Sequence, residues 1–86
     1  MAAISETVDA DEPDWVFAST IRAMRRRLGA TDSRLSRVSG ITRQRIEAIE
    51  IGGATTHAER SDITAALARL SKHRIAKALA RRRFAS

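Results

Sequence analysis

Large apolar residues are scarce in this chain, and that scarcity does most to decide what it can fold into. Of 86 residues, 37 are nominally apolar, but 16 of these are Ala and 21 are larger. Met1, Ile4 and Val8 fall in an acidic head, which leaves about 18 large side chains for a core. β-Branched and aromatic residues are too few and too scattered for the alternation a strand requires. Ala lets helices approach closely and loses no side-chain entropy on ordering. The expectation is an all-α chain with one small domain.

Periodicity and breakers divide the chain into three parts. Residues 1–12 are acidic and aperiodic and are expected to be a disordered tail. Residues 13–70 form the domain, and residues 71–86 a basic amphipathic C-terminal helix and tail. About five helices are expected. The first runs from Asp14 to Leu28, opened by Pro13 and closed by Gly29, with Val16 or Phe17, Ile21, Met24 and Leu28 on one stripe. The second, capped by Thr31 or Asp32, reaches Ser39, with Leu35 and Val38 inward. Gly40 breaks the chain. Thr42 caps a third helix from Arg43 to about Ile51, with Ile46 and Ile49 inward. The fourth spans about Glu59–Leu70, with Ile63, Ala66, Leu67 and Leu70 inward. Beyond it, Ile75 and Leu79 lie far off that face at about 100° per residue. A bend near Ser71–His73 is therefore expected, with Ile75 and Leu79 packing on Trp15 or Phe17, in cis or across a dimer.

Charge narrows the functional classes. The net charge is +6, yet five of the ten acids precede Trp15, so the remainder carries 16 bases against five acids. Fourteen of the bases are Arg, whose forked guanidinium suits phosphate and guanine. The chain has no Cys and only His57 and His73 as imidazoles, so no metal and no cofactor is expected. No nucleophile–base pair, paired carboxylates or phosphate-binding glycine loop suggests an enzyme. No apolar run approaches the roughly 18 residues of a membrane span, and a cytoplasmic location is expected.

Two short helices joined by a glycine turn, the second rich in Arg and Gln, make a helix-turn-helix pattern. The stretch from Ile21 to Leu67, above all IRAMRRRLGATDSRLSRVSGITRQRIEAIEIGG, resembles the lambda-repressor-like, or Cro/cI (XRE), DNA-binding family. The basic first helix ending in Leu28-Gly29, the turn at Gly40 and the run Ile46-Glu47-Ala48-Ile49-Glu50-Ile51-Gly52 carry the resemblance, which covers roughly half the chain. Three positions depart from the family: Ser36 stands where Ala is usual, Ser39 replaces an apolar residue, and Asp32 replaces a phosphate-binding Gln.

The resemblance implies roles for particular residues. Arg43 and Gln44, at the start of the third helix, occupy base-reading positions, and Arg and Gln pair well with guanine and adenine. Ala48 is left to touch a thymine methyl. Glu47 either accepts from cytosine or orients Arg43 or Arg45. Phosphate contacts are expected from Arg34, Thr42, Arg45, Thr55, Thr56 and Arg60. Arg25 and Glu50 match a structural ion pair between the first and third helices.

The expected function is that of a sequence-specific, double-stranded DNA-binding transcriptional regulator, a repressor or Cro-like protein of phage type. A homodimer would form through the C-terminal helix or on operator DNA. The alternative is an antitoxin or other interaction module that binds a partner protein through its terminal extensions.

Overall fold

Local sequence signals set most of the helix boundaries. The computed structural model describes residues 12–85, with side chains as far as residue 82. The tail expected at residues 1–12 lies, but for Glu12, outside the described residues. Among them the chain is all-helical: α1 (Asp14–Arg27), α2 (Asp32–Ser39), α3 (Arg43–Glu50) and α4 (His57–Ala85). Pro13 precedes α1 and its carbonyl accepts from the Val16 and Phe17 amides. Thr31 caps α2 and Thr42 caps α3, each hydroxyl accepting from the amide of the third helical residue, Arg34 and Arg45. Gly40 closes α2 at φ +80°, a left-handed conformation that side chains with a Cβ rarely adopt. Thr56 and Glu59 open α4 with a reciprocal capping box. The Thr56 hydroxyl accepts from the Glu59 amide, and the Glu59 carboxylate accepts from the Thr56 amide.

The three short helices fold around the first half of α4. Leu35, Ile46, Ile49, Ile63 and Leu67 are completely enclosed, and Phe17, Ile21, Ala66 and Leu70 complete the core. Full burial of one such Leu or Ile is worth about 1.5–3 kcal/mol. Leu28, Ala30, Val38 and Ile41 pack against its edge. The departures at Ser36 and Ser39 are accommodated by the turn. The Ser36 hydroxyl donates to the Ile41 carbonyl at 2.6 Å, and the Ser39 hydroxyl accepts from the Ile41 amide at 3.2 Å. Polar side chains thus satisfy the turn's backbone between α2 and α3.

The fourth and fifth helices expected from the sequence are one continuous α4 of 29 residues, and no bend occurs at Ser71–His73. No Gly or Pro lies beyond Gly53, and Ala, Lys, Arg and Leu propagate a helix well. Arg74 holds the rod in place, its Nη1 donating to the Arg27 carbonyl at the end of α1. The packing expected for Ile75 and Leu79 on Trp15 or Phe17 does not occur within the chain. Both are 57% exposed, Trp15 is 70% exposed, and Phe17 belongs to the core.

Candidate nucleic-acid interface

The α3 helix is fixed to the body at both ends. At its C-terminal end Glu50 is buried and meets Arg25 of α1 twice, at 2.6 Å to Nε and 3.0 Å to Nη2. Arg25 Nη1 also donates to the Ala30 carbonyl, and Arg22 donates to the Glu50 carbonyl. The ion pair expected between Arg25 and Glu50 is therefore present. Arg22 is a further member that the sequence reading did not single out.

Asp32 joins this group from α2. Its Oδ1 lies 2.8 Å from Arg25 Nε, but the single hydrogen of that nitrogen is directed at Glu50, and Oδ1 is buried without a hydrogen bond. Burial, and then Glu50, push the Asp32 carboxyl above its ordinary range. Asp32 thus faces inward, and Thr31 alone does the capping.

Near its N-terminal end α3 is tied to α4. Arg45 Nε and Nη2 bind the Glu59 carboxylate at 2.7 and 2.9 Å, and Nη2 also donates to the Ala54 carbonyl at 2.6 Å. The Arg45 hydrogen bond, followed by the Thr56 amide, pulls Glu59 down to about 2. The turn after α3 is close-packed. The Gly53 amide donates to the Ala48 carbonyl, and a Cβ at Gly53 would sit 2.7 Å from that oxygen.

A second network holds the loop before α4. Arg60 is 5% exposed; its Nε donates to the Thr55 hydroxyl at 2.7 Å, and its Nη2 to the Glu12 carbonyl and to Asp14 Oδ1. Its guanidinium also lies 4.8 Å from the centre of the Phe17 ring. Thr55 donates its hydroxyl to Asp14. The Arg60 and Thr55 hydrogen bonds hold the Asp14 carboxyl below the usual carboxylate range.

These placements sort the residues expected to meet DNA. Arg43 and Gln44 are exposed at the start of α3. Arg43 Nε reaches Glu47 at 3.1 Å across one helical turn, with both side chains half or more exposed, so the pair is loosely held. Gln44 has no partner among the described residues. Ala48 is half-buried on the same helix. Arg34 is exposed on α2, and Thr42 and Thr56 are exposed caps. Arg45 is partly engaged by Glu59. Thr55 and Arg60 are both engaged by Asp14 of α1, and the Arg60 guanidinium is buried.

The sequence reading missed Asp14, Glu59 and Arg22. Glu59 carried a usable signal, the Thr-x-x-Glu spacing of a capping box. Asp14 carried none, since its partner Arg60 is 46 residues away. Among the described residues no group of three or more His, Asp or Glu is placed to hold a metal ion, and no helix is long and apolar enough to cross a membrane. Comparison of the chain with protein-family models, with curated proteins and with solved structures returns no match.

Proposed function

We propose that the chain is a sequence-specific, double-stranded DNA-binding transcriptional regulator, a repressor or Cro-like protein of phage type acting in the cytoplasm. In this reading α2 and α3 form a helix-turn-helix, and α3 enters the major groove by its N-terminal half. The observation that carries the reading is the contrast between the sides of α3. Ile46 and Ile49 are enclosed, Glu50 is clamped by Arg25, and Arg45 is tied to Glu59. The side bearing Arg43 and Gln44 is open. A helix held this firmly presents two long polar side chains in a fixed register, which base reading requires. Arg43 reads guanine, Gln44 reads adenine, Glu47 orients Arg43, and Ala48 meets a thymine methyl. Arg34, Thr42, Arg45 and Thr56 supply phosphate contacts, while Arg60 and Thr55 hold the loop that carries Thr56.

Footprinting on the DNA upstream of the gene for this chain tests the reading. Arg43→Ala and Gln44→Ala are each expected to cost about 1–3 kcal/mol on the protected sequence and to relax base choice there. Arg45→Ala is expected to weaken all sequences about equally. An Arg43→Ala variant that keeps the operator preference unchanged refutes the assignment of α3.

One observation favours the interaction-module reading, in which a terminal extension binds a partner protein as in an antitoxin. Ile75 and Leu79 stand exposed one turn apart beyond the core. Copurification of a partner that is lost on Ile75→Asp with Leu79→Asp would support it.

A further inference from the structure

The side of α4 that faces the domain changes chemistry at Leu70. Up to that point it carries Ile63, Ala66, Leu67 and Leu70, all buried. Continued at about 100° per residue, the same stripe passes through His73, Arg74, Lys77 and Arg81, all exposed. Ile75 and Leu79 lie on the opposite side of the helix. The rod therefore stays in phase with the domain, but its inward face turns from apolar to cationic.

That cationic face walls a cleft. Between the α1–α2 turn and α4 lies a concavity of about 220 Å³, with Leu28 and Leu70 at its floor and Arg34, His73, Arg74 and Lys77 around it. Arg34 also lines a second groove, of about 270 Å³, with Arg37 and Val38 on α2. The two concavities share Arg34, and among the described residues no carboxylate lines either. The side chains of Arg34, His73 and Lys77 have no partner among the described residues, and Arg74 spends only Nη1 on the Arg27 carbonyl. Three permanent cations thus share one small concavity without a counter-charge among the described residues, an arrangement a bound anion relieves.

We propose that this cleft binds a backbone phosphate of duplex DNA, beyond the segment read by α3, so that α4 lengthens the footprint on one side. The inference rests on the DNA-binding reading. Two features select a phosphodiester strand as the occupant. Arg forks bind phosphate oxygens in two-pronged geometry, and Arg34, the phosphate contact expected on α2, lines both concavities. An acidic amphipathic segment would be served better by the separate groove of Ile75, Leu79, Arg81 and Arg82, away from the cleft.

The test uses His73→Ala with Lys77→Ala, both lining the cleft, exposed and outside the core, and Arg34→Ala for the opposite wall. Binding is followed by fluorescence anisotropy against salt on two duplexes, one trimmed to the footprinted half-site and one with about ten further base pairs on each side. If footprinting finds no operator, an arbitrary duplex pair serves, because phosphate contacts are indifferent to sequence. The intact chain is expected to give a steeper log K against log salt slope on the longer duplex, by about 0.9 per extra contact. The double variant should lose that increment and bind the longer duplex about tenfold more weakly at low salt, yet match the intact chain on the trimmed one. Arg34→Ala combined with Lys77→Ala should cost less than the sum of the two, since both close on one phosphate.

Equal slopes for the intact chain and the double variant on the longer duplex overturn the inference and leave the reading of α3 standing. Loss of the increment without any operator preference keeps the inference and overturns sequence-specific reading. If the intact chain binds no duplex, both fall. If polyglutamate competes for the cleft while the DNA slopes of intact and variant chains coincide, the cleft belongs to an acidic protein and the proposal fails.

Discussion

The two halves of α4 share one backbone and nearly the same helix propensity, yet they meet opposite surroundings. Residues 57–70 bury Ile63, Ala66, Leu67 and Leu70, and Arg60 is turned into a network with Asp14, Thr55 and the Glu12 carbonyl. From Lys72 to Arg82 every residue is exposed, Ile75 and Leu79 included. The difference lies in angular position rather than hydropathy. Leu67 and Leu79 are the same residue, but only Leu67 falls on the stripe that α1, α2 and α3 cover. Arginine divides in the same way. Arg60 is buried because a carboxylate and a hydroxyl receive it, whereas Arg81 and Arg82 meet no such acceptors among the described residues.

Leucine truncation is the strongest way to break this comparison. Leu67→Ala is expected to lose about 2–5 kcal/mol of stability in urea unfolding, through lost burial and a residual cavity. Leu79→Ala should change it by less than about 0.5 kcal/mol. Equal losses would mean that the distal half is covered in solution.

Arginine truncation should give a smaller contrast. Arg60→Met removes the donors to Thr55, Glu12 and Asp14 and is expected to cost about 1–3 kcal/mol. Arg82→Ala should stay within about 0.5 kcal/mol. Similar values for the two would refute the framework role of Arg60.

Acid titration sharpens the contrast at the start of the helix. Folding lowers Glu59 from 4.5 to about 2, so its contribution is full above pH 4.5 and is lost as pH falls towards 2. Glu59→Gln should flatten stability in that window and lower it at pH 7. Asp32 has the opposite sign. Its carboxyl is raised by folding, so it weakens the fold as pH rises through the raised value. Asp32→Asn should leave the protein as stable or more stable at pH 7, and a clear loss of Tm there would contradict the inward, poorly satisfied placement. The smallest effect is expected from removing residues 75–86, which should shift Tm by no more than about 2 °C while lowering the helical signal.

Much of the proximal region was legible in the sequence because its signals are local. Gly29 and Gly40 take positive φ where breakers were expected. Thr31 and Thr42 cap as their type favours, and Leu35, Ile46, Ile49, Ile63, Leu67 and Leu70 face inward at helical spacing. The Arg25–Glu50 pair followed from the resemblance. Side-chain partnerships over long separations were not legible. Nothing local in Thr55, Arg60 or Asp14 says that they meet, and an exposed helix start reads the same whether its arginine bonds inward or outward. The expected bend came from following apolar residues alone. Once Arg74, Lys77 and Arg81 are counted on the stripe of Leu70, the phase is unbroken and no bend is needed. The open positions Arg43 and Gln44 were legible as exposed, and their proposed reading of bases awaits the footprint.

The uninterrupted passage of α4 through Ser71 has a thermodynamic consequence. An isolated helix of about 15 residues is marginal in water, because its first turn must order several residues for a single hydrogen bond. Here the capped and buried half supplies that nucleus, and each distal residue only propagates it. Residues 71–86 carry six cations and no acid, so pairs such as Lys77 and Arg81, one turn apart, repel and weaken propagation. The distal half is thus a helix seeded by the proximal half. Neutralising its cations with a polyanion is expected to firm its last turns, and ellipticity at 222 nm would read that change.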